Sequence, residues 1–248
     1  PRAQLDALHE GDGHGVVGQY APEGLQDPPG LLGGHGHDDD ARSRDGLPLD
    51  SDRGVVSLAA AIRRDPDAPL QDHLTLIEGD LPVLVGLSRP DQATAIGAGW
   101  SGLATSLQRQ GDIIADVGRL SPGAPSLGVA LASDMALVTV RPGVENYGHL
   151  RERLSWIVAE TSRRSERVRL GVLLIAPWKA RHEADDLTRL LRGSGLEVPV
   201  VGVLALDQSA ADSLAGRRAR PLGRTLLVRS ARTVATALAG AAINGGAA

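Results

Sequence analysis

Three stretches of this 248-residue chain are apolar at nearly every position: Met135–Val140, Val168–Ala176 and Val198–Leu206. Side chains on a strand alternate between faces, so a strand without polar alternation must be covered on both. Amphipathic helices fall between these stretches. Tyr147, Leu150, Leu154, Ile157 and Val158 recur at three- and four-residue spacing, as do Leu187, Leu190 and Leu191 before Gly193. Ser209–Leu214 reads as a further helix, and Leu227, Val234 and Leu238 mark a last one. Strand–helix alternation of this kind specifies an α/β fold. The expectation is a doubly wound, mostly parallel sheet with helices on both faces and ligands at the carboxyl ends of the strands.

The pattern extends upstream. Val55–Arg64 predicts a short helix ending before Pro66, and Leu74–Ile77 a strand bounded by Gly79. From Ser88, with Pro90 in the first turn, Ala93, Ile96, Trp100, Leu103 and Leu107 predict one long helix closed by Gly111. Ile113–Val117 reads as a buried strand.

Residues 1–45 differ in kind. Ten of the 31 glycines and four of the seven histidines lie in the first 46 positions, beside Asp38-Asp39-Asp40 and Pro28-Pro29. Residues 1–52 hold eleven acidic side chains against three arginines, a net of −8, whereas the rest of the chain is net +4. Such a segment buries too little apolar surface to offset chain entropy. The expected organisation is a low-complexity, disordered or aberrant arm over 1–45, one α/β domain over 46–240, and a flexible tail over 241–248. Two origins for the arm stay open: a natural extension, or a stretch translated out of frame in a GC-rich gene.

Composition removes several functions. With no cysteine there is no disulfide framework, thiolate metal site or cysteine nucleophile. No apolar run reaches membrane-spanning length, no basic-then-apolar leader precedes the domain, and residues 241–248 lack the faces of an amphipathic anchor, so a cytoplasmic protein without membrane attachment is expected. Lys179 is the single lysine among 26 basic residues.

The segment richest in chemistry is Gly111-Asp112-Ile113-Ile114-Ala115-Asp116-Val117-Gly118. A buried strand delivers an acid at its carboxyl end, followed by a small residue and a glycine. Ala132-Ser133-Asp134-Met135-Ala136-Leu137-Val138-Thr139-Val140-Arg141-Pro142 follows after a short helix, and Val201-Gly202-Val203-Leu204-Ala205-Leu206-Asp207 comes later. In pattern and order, from about residue 46 to 240, the chain resembles the Min/Par partitioning ATPases, the deviant Walker-A branch of the P-loop proteins. The resemblance implies a P-loop NTPase-like fold, incomplete at the amino terminus. It further implies ATP and Mg²⁺ as cofactors, Asp116 holding the metal through water, and the Gly118 N–H near the γ-phosphate. It implies a homodimer formed across the nucleotide, and partitioning, positioning or assembly as the role.

The chain departs from that family in the phosphate-binding element. No G-x-x-x-x-G-K-[ST] occurs, and Lys179 lies far downstream of where a Walker-A lysine belongs. Ala176 stands where the family has an adenine-reading Asn, and Ala205 where it has Pro. Nucleotide binding and hydrolysis are therefore expected to be impaired, and no catalytic residue is assigned. A non-catalytic docking module that keeps the fold is the rival reading.

Other motifs favour bland explanations. Gly97-Ala98-Gly99-Trp100-Ser101-Gly102 matches G-x-G-x-x-G but falls inside the predicted helix rather than in a strand-to-helix turn. His35, His37 and Asp38–Asp40 lie in the low-complexity arm, Ser126 lacks a His–acid pair, and His182-Glu183 lacks the second histidine of a zinc-protease helix. Arginines 163, 164, 167 and 169, and 217, 218, 220 and 224, form two basic stretches suited to non-specific DNA contact, with no aromatic side chains among them to stack on bases.

Overall fold

The computed structural model describes residues 15–18, 53–77, 81–87, 90–164, 168–214, 217 and 221–245. They fall into two compact units, Pro1–Ala132 and Ser133–Ala248.

The first unit carries a four-stranded sheet in the order β2-β3-β1-β4. Its strands are β1 (Gly15–Gly18), β2 (Thr75–Ile77), β3 (Leu81–Leu84) and β4 (Ile113–Asp116). β1 is parallel to both β3 and β4, and β2 closes the edge antiparallel to β3. The sequence pattern predicted neither β1 nor β3. β1 lies within the stretch expected to be low-complexity arm, yet its backbone fills the place between β3 and β4. Both neighbours thereby pair backbone groups that would otherwise be orphaned. The remainder of residues 1–45, including His35, His37 and Asp38–Asp40, lies outside the described residues.

Helices α1 (Val55–Ile62), α2 (Pro90–Ile96), α3 (Gly99–Gln108) and α4 (Leu127–Ala132) complete this unit. Leu58, Ile62, Leu84, Leu103 and Leu107 form its buried core, with Ile113 and Ala115 of β4 packed against them. The predicted long helix is two helices. Gly97 adopts φ +50°, a left-handed conformation that ends α2 and is open to glycine without strain. Apolar spacing continues across the break because both helices face the same core, which is why periodicity alone reads them as one. Trp100 sits just past the break and donates its indole N–H to the Ala93 carbonyl at 3.0 Å.

The second unit is built on a parallel sheet in the order β5-β6-β7, with β5 at Met135–Val140, β6 at Arg169–Ala176 and β7 at Val200–Ala205. The register shifts between Val172 and Leu173, where β6 meets β7. Around it lie α5 (Val144–Arg164), α6 (Glu183–Gly193), α7 (Gln208–Leu214) and α8 (Leu226–Gly245). Leu154, Val172, Leu174, Leu187 and Leu191 are fully buried in the core of this unit. The chain is thus α/β with mostly parallel strands, as the apolar runs require.

Candidate functional site

Parallel strands end at a common edge, and in the first unit that edge collects the residues singled out from sequence. Asp116 is the last residue of β4 and sits in register with Gly18, the last residue of β1. β3 reaches the same edge, where the Val85 carbonyl accepts the N–H of Val55 at 2.8 Å and so seats the first turn of α1. One sheet end therefore brings together the end of β1, the loop after β3, the start of α1 and the acidic end of β4.

After Asp116 the chain turns sharply. The Gly118 N–H donates to Asp116 Oδ1 at 2.9 Å, closing an Asx turn, and Gly118 takes φ +64°. A side chain at 118 would be strained in that backbone conformation, although the space around its Cα is open. Ser126, buried before α4, donates its hydroxyl to the Val117 carbonyl at 3.2 Å. That bond turns the Val117 carbonyl inward and leaves the Asp116 carboxylate at the exposed end of the strand. Beneath the turn, a narrow crevice between Leu87, Trp100, Val117 and Val129 encloses ≈ 10 Å³, room for about one water molecule. A crevice of that size is too small to enclose a nucleotide.

Beside α1 the structure adds a pair that no sequence motif signals. Ser57 Oγ accepts the Gly54 N–H at 3.1 Å, lies 3.0 Å from the Gly54 carbonyl and 2.9 Å from His73 Nδ1. Burial lowers the His73 pKa below its ordinary value, while neighbouring Asp72 pulls it up and Arg53 pushes it further down. The sixteen-residue separation of Ser57 from His73 hides this contact in the sequence.

The other sequence candidates disperse. Gly97–Gly102 spans the α2–α3 break, remote in kind from a strand-to-helix phosphate turn. Glu183 starts α6 and accepts the Tyr147 hydroxyl at 3.0 Å. Burial and this bond push the Tyr147 pKa up to about 12. Asp207 caps α7, its Oδ1 accepting the Ala210 N–H at 3.1 Å. Lys179 lies in the second unit, in a 3₁₀ turn after β6. Of the arginines in the two basic stretches, Arg163 and Arg164 both pair with buried Glu160, and Arg217 lies 3.8 Å from Asp212. Arg167, Arg218 and Arg220 lie outside the described residues.

The Asp116 carboxylate suits Mg²⁺, which keeps most of its water shell and needs one or two protein carboxylates. Among the described residues, no cluster of three His, Asp or Glu side chains could hold a metal by itself. No lysine lies in the first unit, and the described cations flanking this edge are arginines, Arg53 before α1 and Arg119 after Gly118.

No protein-family model matches the chain, and no curated protein matches it. Solved structures do. A ParA family ATPase from Chlorobium tepidum superposes with a TM-score of 0.62 at 15% identity, covering 94% of this chain and 88% of that one. The MinD cell division protein of Aquifex aeolicus gives 0.56 at 12% identity over 96% and 87%. The cell division ATPase MinD of Pyrococcus furiosus gives 0.54 at 14% identity over 77% of each chain. This chain has the fold of the ParA and MinD ATPases, a P-loop NTPase-like α/β architecture. Among the described residues, no helix is long and apolar enough to cross a membrane.

Proposed function

We propose that the chain is a Min/Par-type ATPase relative acting in partitioning, positioning or assembly, with nucleotide binding and hydrolysis impaired. The observation that carries this reading is the register of Gly18 with Asp116, followed by the Asx turn onto Gly118. In that arrangement Asp116 would orient the water shell of Mg²⁺, and the Gly118 backbone would face the terminal phosphate of ATP. When bound, the metal would neutralise phosphate charge. The chain's own part is to hold the carboxylate at the strand end through the Ser126 contact and to keep Gly118 free of a side chain. A homodimer across the nucleotide belongs to this reading. So does weak, salt-sensitive DNA contact through exposed Arg224, Arg229 and Arg232, since Arg163 and Arg164 are already matched by Glu160.

The lack of a phosphate-binding lysine supports a second reading, a docking module that keeps the fold without the chemistry. Calorimetric titration with Mg²⁺–ATP separates the two. Under the first reading, Asp116→Ala weakens whatever affinity is present, while Asp112→Ala, at the other end of β4, leaves it unchanged. Equal loss from both substitutions at equal stability removes the assignment of Asp116. Absence of binding in the unsubstituted chain favours the docking module.

A further inference from the structure

The turn after β4 carries two charges that do not neutralise each other. Asp116 Oδ1 accepts the Gly118 N–H at 2.9 Å, so the carboxylate is turned onto its own backbone. Arg119, the next residue, is exposed and makes no hydrogen bond or ion pair among the described residues. The other described arginines of the first unit are placed elsewhere. Arg53 reaches toward the Leu74 carbonyl, 3.5 Å away. Arg63 donates to the Ala95 and Ile96 carbonyls at the end of α2, and Arg109 lies 3.3 Å from Asp67. Arg64 follows the carboxyl end of α1, whose first turn is the part seated at the sheet edge.

The backbone on either side of Arg119 is braced. Gly118 before it takes φ +64°. After it Leu120 is half-buried, the Ser121 carbonyl accepts the Ala124 N–H at 2.9 Å, and Pro122 and Pro125 fix two further φ angles. Ser126 then ties the loop back to the Val117 carbonyl. A guanidinium on such a backbone meets an anion at a lower ordering cost than one on a loose loop. Its planar fork of N–H donors matches two phosphate oxygens at once. Exposed arginines are common on protein surfaces. Position singles this one out: it stands one residue past the Gly118 turn and three past the acid suited to Mg²⁺.

We propose that Arg119 binds the terminal phosphate of a nucleoside triphosphate and so sets a preference for ATP over ADP at this edge. The inference rests on the nucleotide reading of Asp116 and Gly118, and adds a cation where the first unit has no lysine. A contact to the terminal phosphate disappears when that phosphate is absent, so it separates triphosphate from diphosphate. Made equally in the ground state and the transition state, it raises affinity without raising turnover.

Calorimetric titration of the full-length chain with Mg²⁺–ATP and with Mg²⁺–ADP tests this. The unsubstituted chain should bind ATP about tenfold more tightly than ADP, the worth of one charge-assisted pair. Arg119→Ala should remove that preference and leave ADP affinity unchanged, while Arg119→Lys, which keeps the charge, should retain part of it. Arg109→Ala removes an arginine just before the amino end of β4 and should leave both affinities as they are. A preference that survives Arg119→Ala, or a loss shared equally by ATP and ADP at an unchanged urea midpoint, overturns the role of Arg119 and leaves the nucleotide edge standing. So does equal affinity of the unsubstituted chain for the two nucleotides. Binding of neither nucleotide overturns the edge itself, and this inference with it.

Discussion

Asp116, Val117 and Gly118 illustrate how three residues define an edge. The carboxylate is needed at a strand end, the Val117 carbonyl is drawn inward by Ser126, and Gly118 takes the left-handed backbone that lets its N–H return to Asp116. All three were visible in sequence because the spacing acid–small–glycine is local. Ser57 and His73 were not, because their contact depends on α1 and the turn before β2 meeting in space. This pair has a consequence for pH. The folded state holds His73 below its ordinary pKa, so the neutral ring is favoured when folded. As pH falls below about 6.5 the unfolded chain takes up the proton first, and stability declines until the folded-state ring also protonates. Urea midpoints measured from about pH 7.5 to 5.5 should therefore fall, and His73→Gln should flatten part of that slope. A midpoint that rises on acidification, or an unchanged slope in the variant, contradicts the assignment.

Among the elements, α6 tests how well burial follows from periodicity. Leu187 and Leu191 are fully buried against the sheet of the second unit, whereas Leu190, one position away, is 39% exposed. Leu187→Ala should cost about 2–5 kcal/mol through lost burial and the cavity left behind, and Leu190→Ala under about 1 kcal/mol. Denaturant unfolding of the two variants checks the difference, and equal losses would misplace the helix face. β5, β6 and α6 were legible because their apolar residues are continuous or periodic over six residues or more. β3 was not: Leu81–Leu84 is four residues long and contains Pro82, which reads as a strand breaker yet is tolerated here. β1 offers only Val16 and Val17 between glycines, too little for any pattern to register. The α2–α3 break was hidden for the opposite reason, since both helices keep the same apolar spacing. Local signals find elements that carry their own hydrophobic period. Elements held in place by their neighbours become visible only in the sheet.

For the whole molecule, the ParA/MinD fold and the missing lysine pull in different directions. The strand order places β1 and β4 side by side with Gly18 opposite Asp116. Yet hydrolysis of ATP needs charge developing on the transferred phosphoryl group to be stabilised. A preorganised cation and a cradle of N–H groups commonly contribute several kcal/mol to that step. Lys179, in the second unit, is the chain's one lysine, and the crevice beneath the Asp116 turn is about the size of one water. On the proposed reading the fold is retained while the chemistry is diminished. The most direct measurement is steady-state release of phosphate from Mg²⁺–ATP by the purified full-length chain, with Asp116→Ala alongside. The expected result is no turnover above the level given by the Asp116→Ala protein. Sustained turnover that Asp116→Ala abolishes, at unchanged stability, would contradict the account.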